Sequence, residues 1–228
     1  MKKFFTHILN IFFPIQCLGC ATPNVFLCAT CMRKIPRARN TEHAFTHAVF
    51  DYRNPILKDA IWKFKYAHAR GLARDLARPL YEEMLGVLGE RLESAVEGDT
   101  SEPGKYDGEK ILLVPIPLHP KRLRERGYNQ SELLARAVIA CDENRIFELA
   151  EGVLVRTRQT PPQARAEKRT ARLANMRDAF HTKKMERVRG RTVILIDDVT
   201  TTGATLLEAK RALIKARPRA VLAFAVGH

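Results

Sequence analysis

The chain has 228 residues, of which 46% are hydrophobic and 28% charged, a balance that supports one sizeable core plus a small appendage and excludes a disordered chain. The net charge of +14, from 39 Lys and Arg against 25 Asp and Glu, calls for polyanionic partners such as nucleic acid, phosphorylated ligands or an anionic membrane. No apolar run reaches the length of a membrane span. At the N-terminus, Phe5, Ile8, Leu9 and Phe12 fall on one face of a helix. His7 and Asn10 interrupt this run and no small-residue cleavage site follows, so it reads as a retained amphipathic helix packed on the domain. Superficial membrane attachment is the alternative.

Four of the five cysteines follow as Cys17, Cys20, Cys28 and Cys31, two C-x-x-C pairs. Each pair supplies two thiolates from one tight turn, the pattern of a closed tetrahedral zinc site. With all four positions filled by sulfur, the Zn2+ is structural and closed to substrate. Two disulfides or redox pairs are the alternatives, disfavoured in the reducing cytoplasm where a chain without a secretory signal is expected. Cys141 reads as a small buried residue. The organisation expected is an amphipathic helix and four-cysteine zinc module over 1–40 and a larger domain over 41–228, with 96–108 as a polar loop or linker.

Ala48–Tyr52 reads as a strand, and Ile56–Ala67 and Gly71–Leu92 carry helical periodicity. Within the first helix, Trp62-Lys63-Phe64-Lys65-Tyr66 interleaves aromatic and basic residues. Helical spacing assigns Ile61, Trp62 and Phe64 to the core; a base-stacking strip is the alternative. Ile111–Ile116 is a buried strand, Pro117–Asn129 a basic loop and Gln130–Cys141 a helix. Val153–Val155 is a short strand, Val193–Ile196 a central one, Ala204–Ala216 a helix and Val221–Val226 a closing strand. Strands alternating with helices predict an α/β fold with a parallel sheet and flanking helices.

Residues 193–205, VILIDDVTTTGAT, carry the sharpest chemistry. Four branched apolar residues predict a strand buried on both faces, from which Asp197 and Asp198 emerge. Thr201, Thr202, Gly203, Ala204 and Thr205 then open a helix whose N–H groups and hydroxyls suit a phosphate. Two acids beside a phosphate cradle serve another part of the ligand, and ribose hydroxyls are the natural donors to them. This run resembles the phosphoribosyl pyrophosphate (PRPP) motif of type I phosphoribosyltransferases.

Two further basic segments join it. The loop 115–130 leaves a strand on the same rim and carries Lys121, Arg122, Arg124 and Arg126, of which Lys121 and Arg122 are placed to hold pyrophosphate. The Pro-containing stretch 156–169 reads as a flap that closes over a diphosphate through Gln163, Lys168 and Arg169. Between Arg156 and Arg191 there are twelve basic residues against three acidic ones, and residues 1–40 hold six basic residues and no acid. Such clustering predicts a polyanion surface, expected at Arg172, Arg177, Lys183 and Lys184.

Together the cysteine quartet, FDYRNPILKDAIWKFKY, PIPLHPKRLRERGYNQSELLA, RTRQTPPQARAEKRTARLANMRDAF and VILIDDVTTTGAT resemble the bacterial ComF family from about Cys17 to the C-terminus. The resemblance implies a zinc-binding N-terminal segment on a type I phosphoribosyltransferase fold and a link to natural competence, the uptake of external DNA. The expected ligands are PRPP or another ribose-phosphate, with Mg2+, and single-stranded DNA, with other DNA-uptake proteins as candidate partners. The expected location is cytoplasmic, peripheral to the inner membrane if the first helix attaches. The favoured reading is a DNA-uptake accessory with a PRPP-type pocket and a basic nucleic-acid-binding surface; the alternative is an active Mg-dependent transferase in which Asp197, Asp198, Lys121 and Arg122 are catalytic. No segment forms a recognisable lid over a nitrogenous acceptor, and the first cysteine belongs to the quartet rather than to a glutamine-hydrolysing site.

Overall fold

The computed structural model describes residues 15–39, 43–97, 109–157 and 178–228. The N-terminal amphipathic run, most of the 96–108 loop, and Gln163, Lys168, Arg169, Arg172 and Arg177 lie outside the described residues. In chain order the elements are α1 (Ala29–Arg33), β1 (Thr46–Phe50), α2 (Pro55–Tyr66), α3 (Leu72–Glu97), β2 (Ile111–Pro115), α4 (Pro120–Arg126) and α5 (Gln130–Cys141). They continue with β3 (Phe147–Leu149), β4 (Leu154–Arg156), β5 (Phe180–Thr182), α6 (Met185–Val188), β6 (Thr192–Val199), α7 (Ala204–Ile214) and β7 (Ala220–Gly227).

Five strands form a parallel sheet in the order β1-β7-β6-β2-β3, and β4 and β5 form a separate antiparallel pair. The strands are apolar at almost every position because both faces are covered. Alternate residues serve opposite cores. Ile111, Leu113, Ile194, Ile196, Leu222, Phe224 and Val226 meet α2, α3 and α5 on one face. Leu112, Val114, Val193, Leu195, Val221 and Ala223 meet α7 and the β4–β5 hairpin on the other.

From β2 the chain passes through α5 to β3 on one side, and from β6 through α7 to β7 on the other. The connections therefore diverge between β2 and β6, and the crevice at their carboxyl ends is where an open α/β sheet binds its ligand.

The cysteine segment is anchored to the first of these cores. Cys17, Leu27, Cys31 and Ile35 are buried with α2 and α3. The Asp75 carboxylate on α3 accepts the Phe26 and Leu27 amides at 3.0 and 3.1 Å.

Several sequence expectations change. Pro117–Asn129 is no simple loop: His119 caps α4 by accepting the Lys121 amide, Pro120 occupies the first turn and Gly127, at φ +76°, ends it. Asp197 and Asp198 sit inside β6, which runs on to Val199, because pairing with β7 continues through Asp197–Ala225 and Val199–Gly227. Trp62 is not a core residue: Leu57, Ala60, Ile61 and Phe64 fill the inner stripe of α2, leaving Trp62 56% exposed. The short β3, β5, α1 and α6 carry too few residues to show a period.

Candidate functional site

Asp198 is buried at the end of β6, and Lys65 from α2 pairs with it, Nζ to Oδ1 at 2.9 Å. Asp197 takes a different partner. The Ser131 hydroxyl, in the first turn of α5, donates to its Oδ1 at 3.0 Å, and the Asp198 amide donates to the same oxygen at 2.9 Å. Burial above all, and then the neighbouring Asp198 charge, push Asp197 up to about 7, against the pull of Lys65 and the two hydrogen bonds. For Lys65, burial favours the neutral amine, but the charges of Asp198 and Asp197 and the ion pair outweigh it and raise its pKa. Lys65 thus answers the charge of both adjacent acids.

After the acids, Thr200 donates its amide to Gly227 at 2.9 Å and the chain turns through Thr201, Thr202 and Gly203. Gly203 has φ +67°, and a Cβ there would meet the His43 ring at 2.6 Å, so the position demands glycine on both counts. No described side chain caps α7, and its opening amides, at Ala204 and Thr205, form the positive end of the helix dipole. Thr202 Oγ1 accepts weakly from Ala204 at 3.5 Å. Thr201 is exposed and Thr205 half-buried.

Two further cations are Arg156, which ends β4, and Arg122, which lies on α4. Burial foremost, and then the nearby Arg122 charge, lower the pKa of Arg156, while the Asp197 charge offsets part of this. Arg156 therefore feels both the Arg122 and the Asp197 charge. Lys121 is exposed on α4. Lys183 and Lys184 are exposed too, but β5 runs antiparallel to β4, and the Lys183 amide bonds Val153 at the start of β4. They sit at the opposite end of the hairpin from Arg156 and do not join the acids.

Sequence reasoning misses Lys65, Ser131 and Arg156. In the sequence Lys65 belongs to an aromatic-basic strip, and only the fold shows that α2 crosses the end of β6. What holds it there is the RGYNQ segment. The Tyr128 hydroxyl donates to the Phe64 carbonyl, Gln130 Nε2 donates to the same oxygen at 3.4 Å, and Asn129 Nδ2 donates to the Ile116 carbonyl at 3.0 Å. Tyr128, Asn129 and Gln130 thus tie the last turn of α2 to the β2–α5 connection.

The cysteines form a second constellation. Their four sulfurs all lie within 4.8 Å of one another, and those of Cys20 and Cys28 are 3.6 Å apart. Sulfurs of a tetrahedral zinc site stand about 3.8 Å apart, given a Zn–S bond of about 2.3 Å. The Cys28 amide points at Cys17 Sγ and the Cys31 amide at Cys28 Sγ, at 3.3 and 3.4 Å. Hydrogen bonding from Thr22 draws Cys20 down to about 6, while the bond shared with Cys20, burial and the other sulfurs push Cys31 up to about 12. Four sulfur donors this close together match the ligand set of a tetrahedral metal ion, so these residues could hold a metal ion such as zinc.

The sheet order, the acid pair on β6 and the Thr- and Gly-containing turn before α7 define a phosphoribosyltransferase-type domain with a cysteine module at its N-terminal side. A family model described as the phosphoribosyl transferase domain matches residues 134–227. That span holds the acids and the turn, whereas Lys65 and Ser131 come from outside it. The chain is 30% identical to the DNA utilization protein YhgH of Escherichia coli K12 over 207 residues, 88% of this chain and 77% of that one. It is 34% identical to the competence protein ComFC of Bacillus subtilis 168 over 110 residues, 48% of this chain and 41% of that protein. The chain belongs to the ComF family. A solved hypoxanthine phosphoribosyl transferase of Trypanosoma cruzi shares 13% identity at a TM-score of 0.33, covering 67% of this chain and 64% of that one, too distant to inform the site.

Proposed function

We propose that the chain binds PRPP or another 5-phosphorylated ribose between β2 and β6, and that it serves DNA uptake as an accessory protein. The observation that carries the pocket is the placement of Asp197 and Asp198 near the end of β6, one short turn ahead of the start of α7, at the divergence of the sheet connections. The amides and hydroxyls from Thr201 to Thr205 take the 5-phosphate. Ribose hydroxyls donate to the acids, whose bonds to Ser131 and Lys65 engage Oδ1. Asp197 and Asp198 are the residues that would hold a Mg2+ ion accompanying the ligand, where it would offset the diphosphate charge. Lys121 and Arg122, with Gln163, Lys168 and Arg169 of the 156–169 segment, take the diphosphate. The DNA reading draws on the relatives named for competence and DNA utilization and on the net charge of +14. In this account the four cysteines hold a structural Zn2+ and the protein works in the cytoplasm.

One observation favours turnover as a second reading. Arg156, at the end of β4, feels the charges of both Asp197 and Arg122, so it is a candidate to stabilise the negative charge that would grow on a departing pyrophosphate. The acceptor nitrogen compound is then unidentified.

Calorimetric titration with PRPP and Mg2+ tests the pocket. Saturable binding is expected, and Asp197→Asn with Asp198→Asn should abolish it; wild-type affinity in the folded double variant would refute the assignment.

A further inference from the structure

Helix α2 has two faces with different uses. Its inner face fills the core, and Lys65 reaches Asp198. Its outer face presents Trp62 and Tyr66, 56% and 62% exposed, one helical turn apart. Their ring centroids lie 5.9 Å apart with a 48° tilt. The Arg126 guanidinium from α4 stands 5.1 Å over the Tyr66 ring, and Arg70 stands 4.7 Å over Tyr128 nearby. Neither outer ring is needed to fill the core, and two large rings side by side on a surface mark a recognition site.

The surroundings indicate the occupant. Lys58, His68 and Arg70 are exposed around the rings, and Lys63 is half-buried and held by Asp59 at 3.0 Å. On α4, Lys121 and Arg124 are also exposed, with Glu125 as that helix's one acid. A partner protein helix would need a mostly apolar rim, and here the exposed Leu123 of α4 stands among more numerous cations, alongside the exposed acids Asp59 and Glu125. Rings that offer their faces beside backbone-binding cations are how sequence-tolerant single-strand binders are built.

We propose that Trp62 and Tyr66, with Arg126 and the exposed cations of α4, form a stacking surface for single-stranded nucleic acid beside the ribose-phosphate pocket. This rests on the DNA-handling reading above and gives it a location different from the Lys183–Lys184 region. Because Arg126 over the Tyr66 ring belongs to the same helix as Lys121 and Arg122, a strand lying on the rings runs toward the cations proposed to take the diphosphate. Its bases stack on the two rings, and its phosphates meet Arg124, Arg126 and Lys121.

Trp62 is the single tryptophan of the chain, so its emission reports this surface alone. The full-length, zinc-loaded protein is titrated at low salt with a dye-labelled oligothymidylate of about fifteen nucleotides, reading dye anisotropy and tryptophan emission together. Quenching of Trp62 that saturates with the anisotropy is expected. Trp62→Ala with Tyr66→Ala should weaken binding at least about tenfold, the loss of one stacked base, with PRPP affinity unchanged. Trp62→Phe, which keeps a ring, should retain most of the affinity. Anisotropy that rises while Trp62 emission stays constant would overturn the stacking surface and leave DNA binding elsewhere on the protein. No rise at all would remove the DNA reading with it. A blue shift on anionic phosphatidylglycerol vesicles without any oligonucleotide response would assign the face to a membrane and overturn the proposal.

Discussion

Asp197 and Asp198 are neighbours in sequence yet stand in different electrostatic circumstances. Asp198 has an ammonium at 2.9 Å, whereas Asp197 has two hydrogen-bond donors and no ion pair among the described residues. The outcome is an acid near 7 in the folded chain against an ordinary 3.8. Between about pH 4 and 7 the folded protein holds a proton that the unfolded chain has released, so this group's contribution to stability falls as pH rises through that window and is lost above it. Asp197→Asn keeps an oxygen for Ser131 and removes the titration. Its melting temperature should match the wild type near pH 4 and exceed it above about pH 7; parallel melting curves across the range would contradict the buried-acid assignment. Lys65 is the complementary case. Lys65→Met leaves Asp198 buried with its charge unanswered and should cost on the order of 3 kcal/mol at about pH 8. Adding Asp198→Asn should recover most of that loss, as read by urea unfolding.

At the scale of elements, the site is assembled by contacts between segments far apart in sequence. The acids and the phosphate turn are legible in the sequence because strand, ligand groups and helix start are contiguous in 193–205. Lys65 is not, because its role depends on α2 crossing the end of β6, which no local period encodes. The RGYNQ segment is plain in the sequence as the end of a basic run, but its job is visible only where Tyr128 and Gln130 meet the Phe64 carbonyl. Tyr128→Phe removes one of those bonds and should cost about 1 kcal/mol. The expected signature is faster amide exchange in the last turn of α2 together with weaker PRPP binding, since Lys65 loses its fixed position. Unchanged exchange there would mean that Gln130 and packing alone hold the helix. Trp62 departs from its expected place for a related reason: a helix offers only one inner stripe, and Leu57, Ala60, Ile61 and Phe64 already occupy it.

Over the whole molecule, the cysteine module and the sheet share one core, since Leu27 and Ile35 are buried in the same cluster as Leu57, Leu76 and Phe224. Two C-x-x-C pairs make the module plain from sequence, but its docking through Asp75 is invisible there, because one aspartate among many on a helix carries no signal. Metal removal should therefore be felt beyond the module. Chelation is expected to lower the melting temperature of the entire chain in a single transition, whereas loss confined to a small early transition would show an independently folding unit. Charge is read on the same scale: Arg126 and the exposed Lys121 and Arg124 of α4 lie on the helix that meets the exposed Tyr66 ring, and Lys65 of α2 answers the acids. The pocket is the claim on which the rest depends. Its most direct test is an amide-resolved NMR titration of the zinc-loaded protein with PRPP and Mg2+. The account predicts saturable shifts concentrated at Thr200–Thr205 and the end of β6, lost in the Asp197→Asn/Asp198→Asn variant. Shifts that avoid this turn, or none at saturating ligand, would contradict it.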